Sequence, residues 1–249
     1  MINAQEKLIP HLGINTLLSV SGGSMGGMQA LLWSIKYPEK VNSVIAIATS
    51  ASLSAQGIAL NEVGRQAIIN DPKWNNGNYY DSEGPDAGLS LERMIGHITY
   101  LSDKHMHEKF GRKMMDPDDT LFSFTTSFEV ESYLHHQGIK FVDRFDANTY
   151  LYITRAIDFF DLKKDYGNLT NAFEHVKANY LIISFKSDWL YPTSQSKEVV
   201  QALRVNGKNV VYSDISTDKG HDAFLLENKL LQRNISHFLL REHEKQFKQ

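Results

Sequence analysis

One short stretch constrains the fold more than any other: Leu17-Leu18-Ser19-Val20-Ser21-Gly22-Gly23-Ser24-Met25-Gly26-Gly27-Met28-Gln29. It begins with apolar residues of strand character and passes through glycines around a single serine. It then continues as Ala30-Leu31-Leu32-Trp33-Ser34-Ile35, which reads as helix. Gly22-x-Ser24-x-Gly26 is the G-x-S-x-G pattern of a nucleophile elbow, in the strand–turn–helix context that gives the pattern meaning. A serine forced into such a turn projects its hydroxyl clear of the backbone, and flanking glycines let strand and helix approach closely. The same pattern makes the Met25 backbone N–H an oxyanion donor, since the residue after the nucleophile supplies it.

Around this stretch the order is helix (Asn3 to about His11), strand, elbow, helix to about Tyr37, and then the apolar strand Ser43–Ala48. The character then changes. From Ser54 to Lys164 the patterns are helical: Ser54–Ile69, Leu89–Leu101, Lys104–Met115, Ser123–His136 and Ala147–Phe160, with a loop from Trp74 to Gly88. Strands return at Ala178–Ser184 and Asn209–Asp214, separated by a helix from Thr193 to Leu203. A last helix runs from Ala223 to Arg241, with a charged tail after it. This predicts an α/β core, residues 1–53 and 165–249, with a helical lid inserted at 54–164.

At 249 residues the chain is long enough for one such core and its insertion. A net charge of -3 gives no reason to expect nucleic acid. The absence of cysteine excludes disulfides, thiolate metal sites and a cysteine nucleophile, and fits a reducing cytoplasm. The first residues lack the basic start and apolar block of a signal peptide, and no run approaches the roughly 20 apolar residues of a bilayer span. The expectation is a soluble cytoplasmic protein with no membrane partner.

A serine hydroxyl needs a base to take its proton and a third group to orient that base. In chains of the α/β-hydrolase type the order along the sequence is serine, acid, histidine. Asp188 follows the penultimate strand and His221 the last, so both fall at the same sheet edge as Ser24. The roles assigned are Ser24 as nucleophile, His221 as base and then acid, and Asp188 as the group that fixes the imidazole tautomer. Asp214 and Asp218 are rival acids. His105-x-His107 and His135-His136 read as solvated helix faces without a matching set of metal ligands, so no metal is expected.

Four segments carry a closer resemblance: Ser21–Gln29, Gly96-His97-Ile98-Thr99-Tyr100-Leu101-Ser102, Ser187-Asp188-Trp189-Leu190-Tyr191-Pro192, and Gly220-His221-Asp222-Ala223-Phe224-Leu225. In that order and spacing they resemble the homoserine O-acetyltransferases, from near residue 1 to about Leu240. The resemblance implies an α/β-hydrolase fold with a helical lid, usually dimeric through that lid. The implied reaction is acyl transfer from acetyl-CoA to the hydroxyl of L-homoserine on the route to methionine. No tightly bound cofactor is implied, and acetyl-CoA is a co-substrate. Ser24, Asp188 and His221 match the triad, Arg93 and Tyr100 the residues that hold the homoserine carboxylate, and Asp222 the one that takes its amino group.

Members of that family carry a long segment before the part that matches Met1, holding the first strands of the sheet and a second oxyanion donor. The expectation is therefore a hydrolase-like sheet with its N-terminal strands missing and an apolar edge along Leu17–Ser21. Other readings are a succinyl-CoA-dependent homoserine acyltransferase, a serine esterase, and a catalytically inactive, lid-mediated dimer.

Overall fold

The computed structural model describes residues 1–116 and 124–247. Along the chain come helix α1 (Ile2–His11), strand β1 (Val20–Gly23), α2 (Met25–Lys36) and β2 (Ser43–Ile47). Five helices follow: α3 (Ala55–Ile69), α4 (Asp86–Tyr100), α5 (Asp103–Lys109), α6 (Glu129–Val142) and α7 (Ala147–Asp158). Then come α8 (Leu162–Asp165), α9 (Leu169–Ala172), β3 (Asn179–Phe185), α10 (Thr193–Val205), β4 (Val210–Ile215) and α11 (Lys229–Phe247). The chain divides into two units, Met1–Leu53 with Phe160–Gln249, and Ser54–Phe159.

In the first unit the strands form one parallel sheet in the order β1-β2-β3-β4. Side chains alternate across a strand, and the two buried layers follow that alternation. Val44, Ala46, Tyr180 and Ile182 join Leu31, Phe173, Val199 and Leu203 on one face. Ile45, Ile47, Leu181 and Ile183 meet Ile215, Leu231 and Phe238 on the other. Every residue of β2 is buried, as a central parallel strand requires. Among the described residues β1 is an edge strand, pairing with β2 from Val20 to Gly23. Leu17 extends that pairing by a parallel bridge to Val41.

This unit also takes in α8. Asp161 caps that helix by accepting from the Lys163 and Lys164 N–H groups, and Leu162 is fully buried while its N–H donates to the Ala51 carbonyl at 2.9 Å. An antiparallel bridge between Ser52 and Asp161 ties together the two points where the helical insertion leaves and rejoins the sheet.

The second unit is built on Ile68, Tyr79, Leu89 and Ala147, with Trp74, Phe141, Tyr150 and Leu151 packed around them. Its first helix is capped by Ser54, whose hydroxyl accepts from Gly57 at 3.1 Å. Asp158 at the end of α7 pairs with buried Arg65 of α3 at 2.7 Å and accepts from Asn61 at 2.8 Å.

Several boundaries differ from the sequence reading, each for a local reason. Within the expected loop at Trp74–Gly88, Pro72–Gly77 forms a 3-10 turn with Asn75 and Asn76 left-handed, and α4 begins at Asp86. The charged helix stops at Lys109, and Gly111 takes a positive φ of 54° soon after. The helix expected at Ser123–His136 is displaced to Glu129–Val142, because Glu131 accepts from the Ser127 and Phe128 N–H groups and sets its start. Ser123 lies outside the described residues. The final helix begins only at Lys229, after an Asn228 side chain that accepts from Leu230 and Leu231, and it continues through the expected tail to Phe247.

Candidate active site

Ser24 sits between β1 and α2 with φ 55° and ψ -122°, in a region that side chains other than glycine rarely adopt. The turn is held from several sides. The Ser24 N–H donates to the Ile47 carbonyl at 2.9 Å, and the Ser24 carbonyl accepts from Gly27 (3.0 Å), Met28 (3.2 Å) and the Thr49 hydroxyl (2.7 Å). Thr49 follows Ala48, which is itself left-handed at φ 48° and fully buried. The glycines divide unequally. A side chain on Gly22 would run into the Gly26 backbone, and one on Gly27 would come within 2.6 Å of Thr49 Cβ, whereas Gly26 faces open space. The close approach of strand and helix therefore rests on Gly22 and Gly27. Met25 opens α2, so its N–H belongs to the first turn, which has no intrahelical acceptor.

Asp188 follows β3 and His221 follows β4, so all three candidate residues lie at the carboxyl ends of parallel strands. His221 Nδ1 lies 2.8 Å from Asp188 Oδ2, with both residues buried. The other Asp188 oxygen accepts from the Leu190 N–H at 3.0 Å and the Tyr191 N–H at 2.8 Å, so the carboxylate is fixed by its own turn. The two loops are joined where the Gly220 N–H donates to the Ser187 hydroxyl at 3.0 Å. Of the rival acids, Asp214 accepts from Ser184 within the sheet and Asp218 lies 3.5 Å from Lys219.

Two aromatic rings complete the setting of His221. Tyr191 stacks on the imidazole with centroids 5.0 Å apart and 27° between planes, and Phe224 meets it edge-on at 5.5 Å and 76°. The Phe224 ring also occupies the space a Gly23 side chain would need. It thereby packs the histidine loop against the residue preceding Ser24. Nδ1 faces Asp188, and Nε2 lies on the other side of the ring. Asp222 lies beside His221 in the short 3-10 turn His221–Phe224. Sequence reasoning singled out neither Thr49, Tyr191 nor Phe224, since none belongs to a catalytic residue class in the elbow pattern.

Arg93 and Tyr100 lie on α4 of the helical unit. The half-buried Arg93 guanidinium lies 5.4 Å from the Tyr100 ring centroid and 4.6 Å from that of Phe141. Among the described residues no carboxylate forms an ion pair with it. Next to it, Glu92 is 2% exposed, and burial pushes its carboxyl up to about 7, against the opposing Tyr150 hydrogen bond and Arg93 charge. One turn on, His97 Nδ1 meets the Tyr133 hydroxyl at 2.9 Å. Burial holds His97 down at about 4, and the Arg93 and Lys109 charges act in the same direction. His105 and His107 lie on α5, and His135 and His136 on α6. No group of three or more His, Cys, Asp or Glu among the described residues is placed to hold a metal ion. No described helix is long and apolar enough to cross a membrane.

Comparison with known proteins places these features in context. The family described as alpha/beta hydrolase fold matches residues 1–227. The homoserine O-acetyltransferase of Methanohalobium evestigatum is 54% identical over 239 residues, covering 96% of this chain and 49% of that protein. The crystal structure of a homoserine O-acetyltransferase from Bacillus anthracis superposes with a TM-score of 0.86 at 26% identity, covering 95% of this chain and 63% of that one. A crystallised esterase superposes almost as well, with a TM-score of 0.85 at 27% identity, covering 96% and 65%. The chain spans about half the length of the first curated relatives it matches.

Proposed function

The chain belongs to the α/β-hydrolase family, and from that premise we propose that it carries the catalytic part of a homoserine O-acetyltransferase. The reaction is transfer of an acetyl group from acetyl-CoA to the side-chain hydroxyl of L-homoserine through an acyl-serine intermediate. The observation that carries the reading is the buried Asp188–His221 pair, packed through Phe224 against a strained serine turn. Such an arrangement is built for nucleophilic acyl transfer.

In the first half-reaction Ser24 Oγ attacks the thioester carbonyl carbon while its proton passes to His221 Nε2. The Met25 N–H stabilises the oxyanion, the carbon–sulfur bond breaks, and the imidazolium proton leaves on the CoA thiol. In the second, His221 takes the proton of the homoserine hydroxyl. The homoserine oxygen bonds to the acyl carbon, the bond to Ser24 Oγ breaks, and the proton returns to the serine. Asp188 keeps the imidazole oriented throughout.

For the acceptor, the resemblance assigns Arg93 and Tyr100 to the homoserine carboxylate and Asp222 to its ammonium. A guanidinium braced by aromatic faces and free of an acidic partner among the described residues suits a planar carboxylate. The same resemblance assigns a strand against the open edge of β1 and a second oxyanion donor to the part of the relatives this chain does not match. It also assigns a homodimer formed through the helical insertion.

Purified protein supplied with acetyl-CoA should release at most one equivalent of CoA per active site without L-homoserine, and turn over continuously only when it is present. Ser24→Ala should lower that rate by about 10⁴-fold or more. Arg93→Lys should raise the KM for homoserine about tenfold with little change in the KM for acetyl-CoA. Ester hydrolysis that proceeds at full rate without homoserine, and survives loss of Arg93 and Asp222, would make the protein an esterase. Preference for succinyl-CoA would change the donor.

A further inference from the structure

We infer that Tyr191 is a positioning residue for this chemistry: its ring face carries the positive charge that His221 gains when Ser24 gives up its proton, and its backbone N–H fixes the carboxylate that aims the imidazole. The inference deepens the acyl-serine reading above and rests on it.

Tyr191 is 4% exposed, like His221 itself, so water supplies little of the solvation an imidazolium needs. Asp188 answers that charge in the plane of the ring, at Nδ1. The faces of the imidazole are outside its reach, and the stacked Tyr191 ring lies over one of them at 5.0 Å. A cation within about 6 Å of an aromatic centroid is attracted by the ring quadrupole, more strongly when both are desolvated. A neutral imidazole gains little from the same contact. The Tyr191 face therefore favours the charged species of the reaction over the resting state, the kind of differential interaction that accelerates a chemical step. The residue acts at two points, because its N–H is also one of the two that hold Asp188 Oδ1. Backbone and side chain of one residue thus set both partners of the proton relay. Phe224 differs: it meets the imidazole edge-on and its ring fills the space over Gly23.

The test uses a 4-nitrophenyl organophosphate as the probe, since its attack requires the serine and base but no acyl acceptor. Serine Oγ bonds to phosphorus, 4-nitrophenolate leaves, and the Oγ proton passes to His221 and then to solvent. Tyr191→Leu should react roughly tenfold more slowly, while Tyr191→Phe, which keeps the ring face, should stay within about twofold of the native rate. The split between the leucine and phenylalanine variants separates the ring face from the phenolic hydroxyl. Should the leucine variant fail to fold, Tyr191→Met carries the same expectation. Native rates in the leucine or methionine variant, or a phenylalanine variant as slow as leucine, would each overturn the inference. So would native protein that does not react with the probe. Failure of homoserine-dependent CoA release alongside these expected shifts would instead count against the assigned acceptor and leave the role of Tyr191 standing.

Discussion

Asp188 and Glu92 are both carboxylates almost wholly withdrawn from solvent, 3% and 2% exposed, one in each unit of the chain. Asp188 is met by two backbone N–H groups on one oxygen and by the His221 imidazole on the other. Glu92 interacts with Tyr150 and leaves Oε2 without a hydrogen-bond partner, and its carboxyl is pushed up to about 7. The histidines repeat the contrast. His221 is paired with an acid, whereas His97 is held neutral beside Arg93 and Lys109 with Nε2 unpartnered. Donors aimed at a buried carboxylate favour its charged form, and burial without them favours the neutral acid. The difference lies in the backbone. The Ser187–Tyr191 turn brings N–H groups to its side chain, while a residue in mid-helix on α4 has spent its neighbours' N–H groups on the helix.

The contrast can be broken on the built side first. Gly22→Ala should destabilise the protein by about 3 kcal/mol or more, because the added methyl meets backbone that cannot step aside. Gly26→Ala, facing open space, should change stability by less than about 0.5 kcal/mol. Urea midpoints for the two variants test the asymmetry directly.

On the packed side, Glu92→Gln should abolish a pH dependence. An acid whose folded pKa is raised binds its proton more firmly in the native state. Its contribution is intact at acid pH and is lost as pH rises from about 4.5 to about 7. The loss amounts to at most about 3 kcal/mol, so the glutamine variant should be the more stable protein at alkaline pH and gain little below pH 4.5. His97 works in the opposite direction: its folded pKa is depressed, so stability falls as pH drops from 6.5 towards about 4. Denaturant titrations across pH should show both slopes. A modest effect sharpens the comparison. Thr49→Val removes the hydroxyl that donates to the Ser24 carbonyl and should cost about 1 kcal/mol, whereas Thr49→Ser should restore it.

The parts of the fold that were legible are those where one periodicity acted alone. Ser43–Ile47 and Asn179–Phe185 read as buried strands because their alternate residues feed two apolar layers. The elbow read clearly because glycines, serine and helix follow one another in the order the turn demands. What escaped was set by single side chains acting on nearby backbone. Glu131 moved the start of α6, Asn228 that of α11, and Asp161 and Asn168 capped two short helices that had no apolar stripe to announce them. In the site, the order serine, aspartate, histidine was legible along the chain. The stacking of Tyr191 and the reach of Thr49 were not, because both depend on loops meeting across strands far apart in sequence.

The way the helical insertion is fastened bears on how the sheet assembles. β2 and β3 must find each other across the whole of residues 54–159, and the entropy of closing a chain loop grows with its length. The insertion carries its own tie. Its first and last helices are pinned together by Asp158, which binds Arg65 and Asn61, all within the insertion. In the core unit, the chain arriving at Ala51 and the chain departing from Leu162 are hydrogen-bonded neighbours, and the Ser52–Asp161 bridge closes the junction. A connection of more than a hundred residues between parallel strands thus leaves and re-enters the core at a single tight gate.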